Sequence, residues 1–561
     1  MNEKKINQDI YYAYGSNLNL RQMARRCPTA KLLGTGVIPD YELLFRGREE
    51  GKSYLTVRPC PGAQVPVAAF SVQPSDVHEL DLYEDVPGGL YRIEPIATEV
   101  CHEGVSRGVL EGFWYVMNDD RRLPPSQEYW NAVVEGYHNM GFDVTLLEKA
   151  LEIEGVYVPS FYQVDYKEDG IIAAITPTHG APAQVKKAIV RDLDKAYYPE
   201  SFIVPSTDVV FDRAMVELFR GCRRGCRFCQ AGMIYRPVRE RSLERLMELA
   251  RALEKSTGYE EISLSSLSSG DYSCLPELIR ALMAEFREKR VSVSLPSLRI
   301  DSVLKDSLEE TQQVKKSSLT FAPEAGTQRL RDVINKGVTE QDLVEKVTDA
   351  FQGGWSSVKL YFMIGLPTET YEDLDGIGHL AQVVNRAYFT VPKEKRARGL
   401  RVTCSASSFV PKPFTPFQWE PQDTQQQIKD KQAYLREVLR RIKGVNFNWH
   451  EPELSYLEAC FSRGDRRLGK VLERAVEKGC ILDGWSEQFR FDTWMEAFQE
   501  CGLDPEWYAY RRREKDEILP WDFIDAGVTK AFLWREKERA ERGEITPDCR
   551  KGCQGCGLRR F

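Results

Sequence analysis

Strand and helix patterns alternate from Ala214 onward, which predicts an α/β fold. Three observations carry that reading. Short apolar runs recur as strand candidates, amphipathic segments with helix-start signals lie between them, and about six such strand–helix steps fit into roughly 200 residues. The rhythm implies parallel strands curled into a partial barrel, preceded by a mixed α+β domain and followed by a helical, charged extension.

The 561 residues are 42% hydrophobic and 29% charged, enough for several domains with cores of their own. Residues 1–150 form the expected front domain: YYAYGSNL opens it, VPVAAFSV and GVLEGFWYVM read as strands, and 125–152 reads as two helices. A connector over 151–205 holds GVYVPSFYQVDY and a proline-punctuated stretch from Pro177 to Pro205. The core spans 206–420. In it AMVELF precedes a cysteine-rich loop, SLERLMELARALEK is a helix with Ser242 as its N-cap, EISLSSL is a strand and LPELIRALMAEFREK a helix. VSVSLPSL, SLTFAPEAG, SVKLYFMIG and LRVTCSASSF are four further strands, and Thr339 with Asp342 and Thr370 with Asp373 fit the cap-then-acid pattern of helix starts. In such a barrel, chemistry sits on loops at the C-terminal ends of the strands. Residues 421–561 read as helical, with DTQQQIKDKQAYLREVLRRIKG and LGKVLERAVEKG ahead of a cysteine-rich tail, DCRKGCQGCGLRRF.

Composition excludes some classes. The net charge of −7 advertises no general affinity for nucleic acid, so any such binding needs a local patch. The start, MNEKKINQDIYYAYG, lacks the apolar segment of a secretory signal, and no apolar run is long enough to span a bilayer. A cytoplasmic protein without a membrane partner is expected. Disulfides are then not expected among its 14 cysteines, and six of these fall into two clusters of one spacing, which points to metal binding.

The first cluster is RGCRRGCRFCQAG, with Cys222, Cys226 and Cys229 after the first strand of the barrel pattern. Three thiolates at this spacing can wrap one iron–sulfur cluster and bind three of its irons, leaving one iron open, which suits chemistry better than storage. Zinc is the alternative, but it commonly takes two ligand pairs and no second pair lies nearby in sequence. The pattern CxxxCxΦC, with Phe228 in the aromatic place, resembles the signature of the radical S-adenosylmethionine (SAM) superfamily, and the likeness runs through roughly 151–561. The resemblance implies a partial (β/α)6 TIM-like barrel and a 4Fe-4S cluster on Cys222, Cys226 and Cys229. It also implies SAM on the open iron, a reductant such as ferredoxin or flavodoxin, and reductive cleavage of SAM to a 5′-deoxyadenosyl radical. LSSLSSGD stands where the family has a glycine-rich motif, so Ser268, Ser269, Gly270 and Asp271 would contact the SAM amino group, although the usual Gly-Gly-Glu is missing. Glu324 falls where the family places a SAM-facing polar residue, and Gly365 opens GLPTET, the loop that approaches adenine. The longer strings RGCRRGCRFCQAGMIYRPVRERS, SLSSLSSGDYSC and LTFAPEAGTQRLRDVINK resemble an uncharacterised bacterial subfamily that usually carries a cobalamin-binding-like front domain. SFVPKPFTPFQW, from Ser408 to Trp419, is shared with cobalamin and methylthiotransferase branches on the substrate side. The front of this chain departs from that subfamily, so cobalamin is not implied.

YAYGSNLN, Tyr12 to Asn19, instead resembles the opening of the γ-glutamylcyclotransferase (AIG2-like) family. That likeness implies a turn at Tyr14, Gly15, Ser16 and Asn17 that binds the γ-glutamyl group. It also implies a catalytic carboxylate at Glu84 in LDLYEDVPGGLYRIE, with Tyr91 and Arg92 as a loose Tyr-x-Arg tail. The alternative is a fold kept as a binding module.

Cys549, Cys553 and Cys556 repeat the first spacing and suit a second iron–sulfur cluster, a zinc site with a fourth ligand elsewhere, or a tail without a ligand. Arg220, Arg223, Arg224, Arg227, Arg236, Arg239, Arg241 and Arg245 crowd the first motif. They would grip RNA phosphates or serve as ordinary ion pairs, and the acidic chain favours the second. The leading expectation is a radical SAM enzyme acting on a small molecule or peptide, with a fused domain for γ-glutamyl amines or peptides. An RNA- or protein-modifying enzyme of methylthiotransferase type and a non-catalytic redox-sensing iron–sulfur protein are the alternatives.

Overall fold

The computed structural model describes residues 9–558 apart from 50–51, 120, 122, 124, 151–154, 179–180, 296–299, 301–318 and 395. Two compact units divide the chain, Met1–Lys187 and Ala188–Phe561, so the division falls inside the expected connector.

In the first unit five strands close a barrel: β1 (Ile10–Ala13), β2 (Lys31–Glu49), β3 (Lys52–Ser71), β4 (Tyr91–His102) and β5 (Val105–Met117), in the order β1-β3-β2-β4-β5. VPVAAFSV lies in β3 and GVLEGFWYVM in β5. β1 runs antiparallel to β3 and meets β5 in parallel at Tyr11 and Phe113. Gly112 permits that closure, because a Cβ there would stand 2.4 Å from the Ile10 carbonyl oxygen. Tyr12, Val65, Val67, Phe113 and Trp114 fill the interior. Helix Pro74–Tyr83 ends with Glu84 as its C-cap, and helix Gln127–Met140 runs from Ser126, which accepts from Tyr129 N, to a left-handed Gly141.

The second unit holds two parallel sheets. One orders β8 (Ser292–Ser294), β7 (Glu261–Ser265) and β6 (Ala214–Glu217); the other runs β9 (Leu319–Glu324), β10 (Ser357–Ile364), β11 (Arg401–Ser408) and β12 (Val445–Trp449). The six expected strands are β6 to β11; part of VSVSLPSL lies outside the described residues. β12 corrects the reading of everything past Pro421 as helical. Val445 and Phe447 pack on the core of the second sheet, the asparagines between and after them alternate away, and β12 extends the sheet beside β11. Ser242, Thr339 and Thr370 cap their helices as expected, the last two in reciprocal boxes with Asp342 and Asp373. Helices Pro452–Arg463, Leu468–Glu477 and Phe491–Glu500 share a further core around Tyr456, Val471 and Phe498. Among the described residues no helix is long and apolar enough to cross a membrane.

Candidate functional site

In the first unit β1 and the turn after it deliver Tyr11 and Tyr14 to a cleft of about 270 Å³, counted to its open mouth. Gly15, Ser16, Asn17, Leu55, Glu84, Tyr91, Tyr115 and Tyr129 complete its lining. The site residues expected from sequence therefore come together. Gly15 is closely packed: a Cβ there would meet Tyr129 Oη at 3.3 Å. Glu84 as a residue is only partly covered, because it ends a surface helix, but its carboxylate lines the cleft, away from water. That burial raises its pKa from 4.5 to about 7, against the opposing pull of Arg26 and of the hydrogen bond from Asn17. Asn17 Nδ2 donates to Glu84 Oε1 at 3.1 Å and to Tyr11 Oη at 2.9 Å, and Arg26 holds Asn17 Oδ1 at 2.5 Å, which fixes the amide's orientation.

Sequence reasoning missed Arg26, Tyr11, Tyr115 and Tyr129, which converge from separate elements. Tyr91 donates to Leu55 O at 2.9 Å and Tyr115 to Asp81 Oδ1 at 2.7 Å, while Tyr129 accepts from Leu55 N. Burial raises all of these phenols, so the cleft presents neutral hydroxyls at ordinary pH. Arg92 does not join them; it bonds Glu94 and Asn118 at the surface.

In the second unit the cysteine loop leaves the C-terminal end of β6. Gly221, at φ 92, sets its path: a Cβ would stand 2.5 Å from the Pro237 carbonyl oxygen. The far wall comes from the segment after helix Gln328–Val333, where Arg227 N donates to Ile334 O at 3.0 Å and Asn335 Nδ2 to Gly225 O at 3.0 Å. Gly232 N–H donates to Cys229 Sγ at 3.4 Å. Burial pushes the Cys229 thiol up to about 11, and the neighbouring Cys226 and Cys222 push in the same direction. Three soft sulfurs within electrostatic reach, an amide on one of them and a glycine cradle fit an iron–sulfur cluster.

The other expected residues sit at the ends of β7, β9 and β10. Phe228 packs against Ala325, Ile334 and Leu366. Lys336 lies over the Phe228 ring at 6.0 Å and bonds Glu324 at 3.0 Å. Glu324 has φ 69 and Gly365 φ 79, a left-handed turn at the end of each strand. Arg224, between Cys222 and Cys226, makes a two-pronged contact with Asp271 at 2.6 and 2.9 Å, which ties the turn after β7 to the cysteine loop. Within that turn, which includes Gly270, the side chains face inward. Ser268 Oγ donates to Asp271 at 2.8 Å and Ser269 Oγ to Leu264 O at 3.1 Å.

Two further features lie in motifs singled out from the sequence, but their contacts were not foreseen. Gly365 N–H donates at 2.7 Å to Glu369, whose buried carboxylate is paired with Lys431 at 2.7 Å. Ser408 closes β11 beside Ile364, and its buried Oγ has no partner among the described residues.

All eight arginines near the loop are engaged internally. Arg220 and Arg241 bond Glu217, Arg223 bonds Glu240, Arg224 Asp271, Arg227 Glu536 and Arg245 Glu200, while Arg236 and Arg239 donate to backbone carbonyls. Six of them thus stand in ion pairs with carboxylates of the same unit. The tail folds back to the same place: Asp548 pairs with Arg224 at 3.7 Å and Arg550 with Asp271 at 3.4 Å. Cys549, raised mainly by burial, also feels Arg236, Cys556 and Cys553.

The radical SAM superfamily model matches residues 216–381, and the gamma-glutamyl cyclotransferase, AIG2-like model matches residues 11–132. An uncharacterized protein of Methanocaldococcus jannaschii is 30% identical over 382 residues, 68% of this chain and 77% of that protein. Human gamma-glutamylcyclotransferase is 28% identical over 154 residues, 26% of this chain and 78% of its own length. An uncharacterized methyltransferase of Pyrococcus horikoshii is 24% identical over 272 residues, 46% of this chain and 55% of the relative, and ribosomal protein uS12 methylthiotransferases also match. The chain belongs to the radical SAM superfamily and carries an AIG2-like γ-glutamyl cyclotransferase domain at its front.

Proposed function

We propose that this chain cleaves SAM reductively in its second unit and releases 5-oxoproline from γ-glutamyl amines or peptides in its first. The observation that carries the proposal is the cysteine loop at the end of the first parallel strand, where Cys222, Cys226 and Cys229 would hold the cluster through three irons. When bound, the cluster and SAM supply one-electron cleavage of the sulfonium to methionine and a 5′-deoxyadenosyl radical. β6 to β11 are read as a partial (β/α)6 TIM-like barrel, with Glu324, Gly365 and the turn Ser268 to Asp271 around SAM. Phe228 and Leu366 pack into an apolar cluster beside the loop, and the internal engagement of the arginines favours a small-molecule or peptide substrate over RNA.

In the first unit Glu84 moves the proton. The substrate's α-amine attacks its own γ-carbonyl, Glu84 takes the proton from that nitrogen, and the proton passes to the leaving amine as the amide bond breaks. A carboxyl with a pKa of about 7 is populated in both forms near neutrality, as this shuttle requires. Asn17 and the tyrosines orient the γ-glutamyl group.

Anaerobic reconstitution with iron and sulfide, then SAM and reductant, is expected to yield 5′-deoxyadenosine. Cys222→Ala, Cys226→Ala and Cys229→Ala should each abolish it, and full turnover by any one overturns the assignment. A panel of γ-glutamyl amines and peptides tests the first unit by 5-oxoproline release, which Glu84→Gln should remove. The methyltransferase and methylthiotransferase relatives favour a second reading, group transfer to a protein or RNA. RNA-stimulated SAM cleavage that weakens steeply between low and physiological salt would support it.

A further inference from the structure

We propose that Cys549, Cys553 and Cys556 hold a second iron–sulfur cluster, seated against the loop that carries the first. The three cysteines repeat the spacing of Cys222, Cys226 and Cys229, and in each motif one sulfur accepts a backbone amide. Gly555 N–H donates to Cys553 Sγ, the middle cysteine of the tail, at 3.4 Å, and Gly232 N–H donates to Cys229 Sγ, the last cysteine of the first motif, at 3.4 Å. Amides aimed at cysteine sulfur stabilise thiolate charge in iron–sulfur sites. Gly552 at φ 134, Gly555 at φ 68 and Gly557 at φ 113 turn the backbone around the sulfurs in conformations that other residues rarely adopt.

The tail is also anchored. Thr529 N donates to Cys556 O at 2.9 Å, Arg535 to Gln554 O at 2.8 Å, and Thr546 N to Asn335 Oδ1 at 2.9 Å. Asn335 also holds Gly225 of the first loop, so one side chain binds both cysteine segments. Asp548 and Arg550 flank Cys549 and reach Arg224 and Asp271.

The choice between a cluster and zinc follows from ligand number and spacing. A structural zinc ion takes four protein ligands, with sulfurs drawn to about 3.8 Å of one another by bonds of about 2.3 Å. A cubane spreads its thiolates more widely and needs only three of them.

The proposal rests on the reading of Cys222, Cys226 and Cys229 as the first cluster site, and metal counting on the full chain separates the two. The anaerobically reconstituted protein should bind about eight irons and eight sulfides. The triple variant Cys549→Ala/Cys553→Ala/Cys556→Ala should retain about four, together with the SAM-induced change in the electron paramagnetic resonance of the reduced protein. The triple variant Cys222→Ala/Cys226→Ala/Cys229→Ala should also retain about four but lose that change. Cys553→Ser, at an exposed position with the circular dichroism of the parent, should lose iron like the tail triple and guards against misfolding. Four irons plus one zinc in the parent, with the zinc lost from the tail variants, overturns the proposal, as does unchanged metal in both tail variants. Unchanged iron in the Cys222 triple would overturn the first-cluster reading instead.

Discussion

Glu84 is a carboxyl whose environment sets both its chemistry and its cost. Burial raises its pKa from 4.5 to about 7, so the folded protein binds this proton more tightly than the unfolded chain. The sign follows: the group's contribution to stability is complete below about 4.5 and is lost as pH rises through about 7. The loss is roughly 3 kcal/mol as an upper bound. Urea denaturation at pH 5 and pH 8 should therefore show Glu84→Gln gaining on the parent at the higher pH. Cyclotransfer by the parent should rise through pH 7 as the carboxylate forms, and the Gln variant should show no such limb. Arg227 makes the converse case. Its fully buried guanidinium bonds Glu536, Thr546 and three backbone carbonyls. Arg227→Met leaves Glu536 with Arg539 and Thr546 but removes its buried partner, and should cost about 3 kcal/mol in chemical denaturation.

Elements with local causes were legible in the sequence; those assembled across the chain were not. The strand–helix rhythm gave β6 to β11, and the caps at Ser242, Thr339 and Thr370 were readable because each is written within four residues. The cysteine loop was readable for the same reason. Closure of β1 on β5, the tyrosine cleft and the pairing of Arg224 with Asp548 depend on partners far apart in sequence, where no periodicity marks them. β12 was hidden by its brevity among charged helices. Ser268, Ser269 and Asp271 were legible as a loop after β7, but not that Ser268 would bond Asp271 and Ser269 the backbone of β7. One element-scale consequence concerns the entry to the cysteine loop. Gly221→Ala places a Cβ against backbone at 2.5 Å in a left-handed conformation, so the loop must shift. The protein should still fold, because the position lies outside the sheet, but iron retention should fall several-fold. Iron and sulfide analysis after gel filtration checks this, and parental iron content would show that the loop tolerates the shift.

At the scale of the whole molecule, each unit carries its own core. Tyr12, Phe113 and Trp114 close the first within Met1–Lys187, and Leu264, Leu360 and Leu435 belong to cores within Ala188–Phe561. A unit with its own core and closed hydrogen bonding folds as a unit. Residues 1–187 alone should thus give a soluble, cooperatively melting protein, and the full chain should melt in two transitions. Chemistry should divide in the same way, because the proposed catalytic groups of each activity lie wholly inside one unit. In the full-length protein Glu84→Gln should leave 5′-deoxyadenosine formation within about twofold of the parent. Cys222→Ala should abolish it while leaving 5-oxoproline release intact. Both products can be followed in one reaction by chromatography. Joint loss of both activities in either variant, with the fold retained by circular dichroism, would mean that the two units work as one catalytic device. The search for the radical substrate would then turn to γ-glutamyl compounds that the first unit binds.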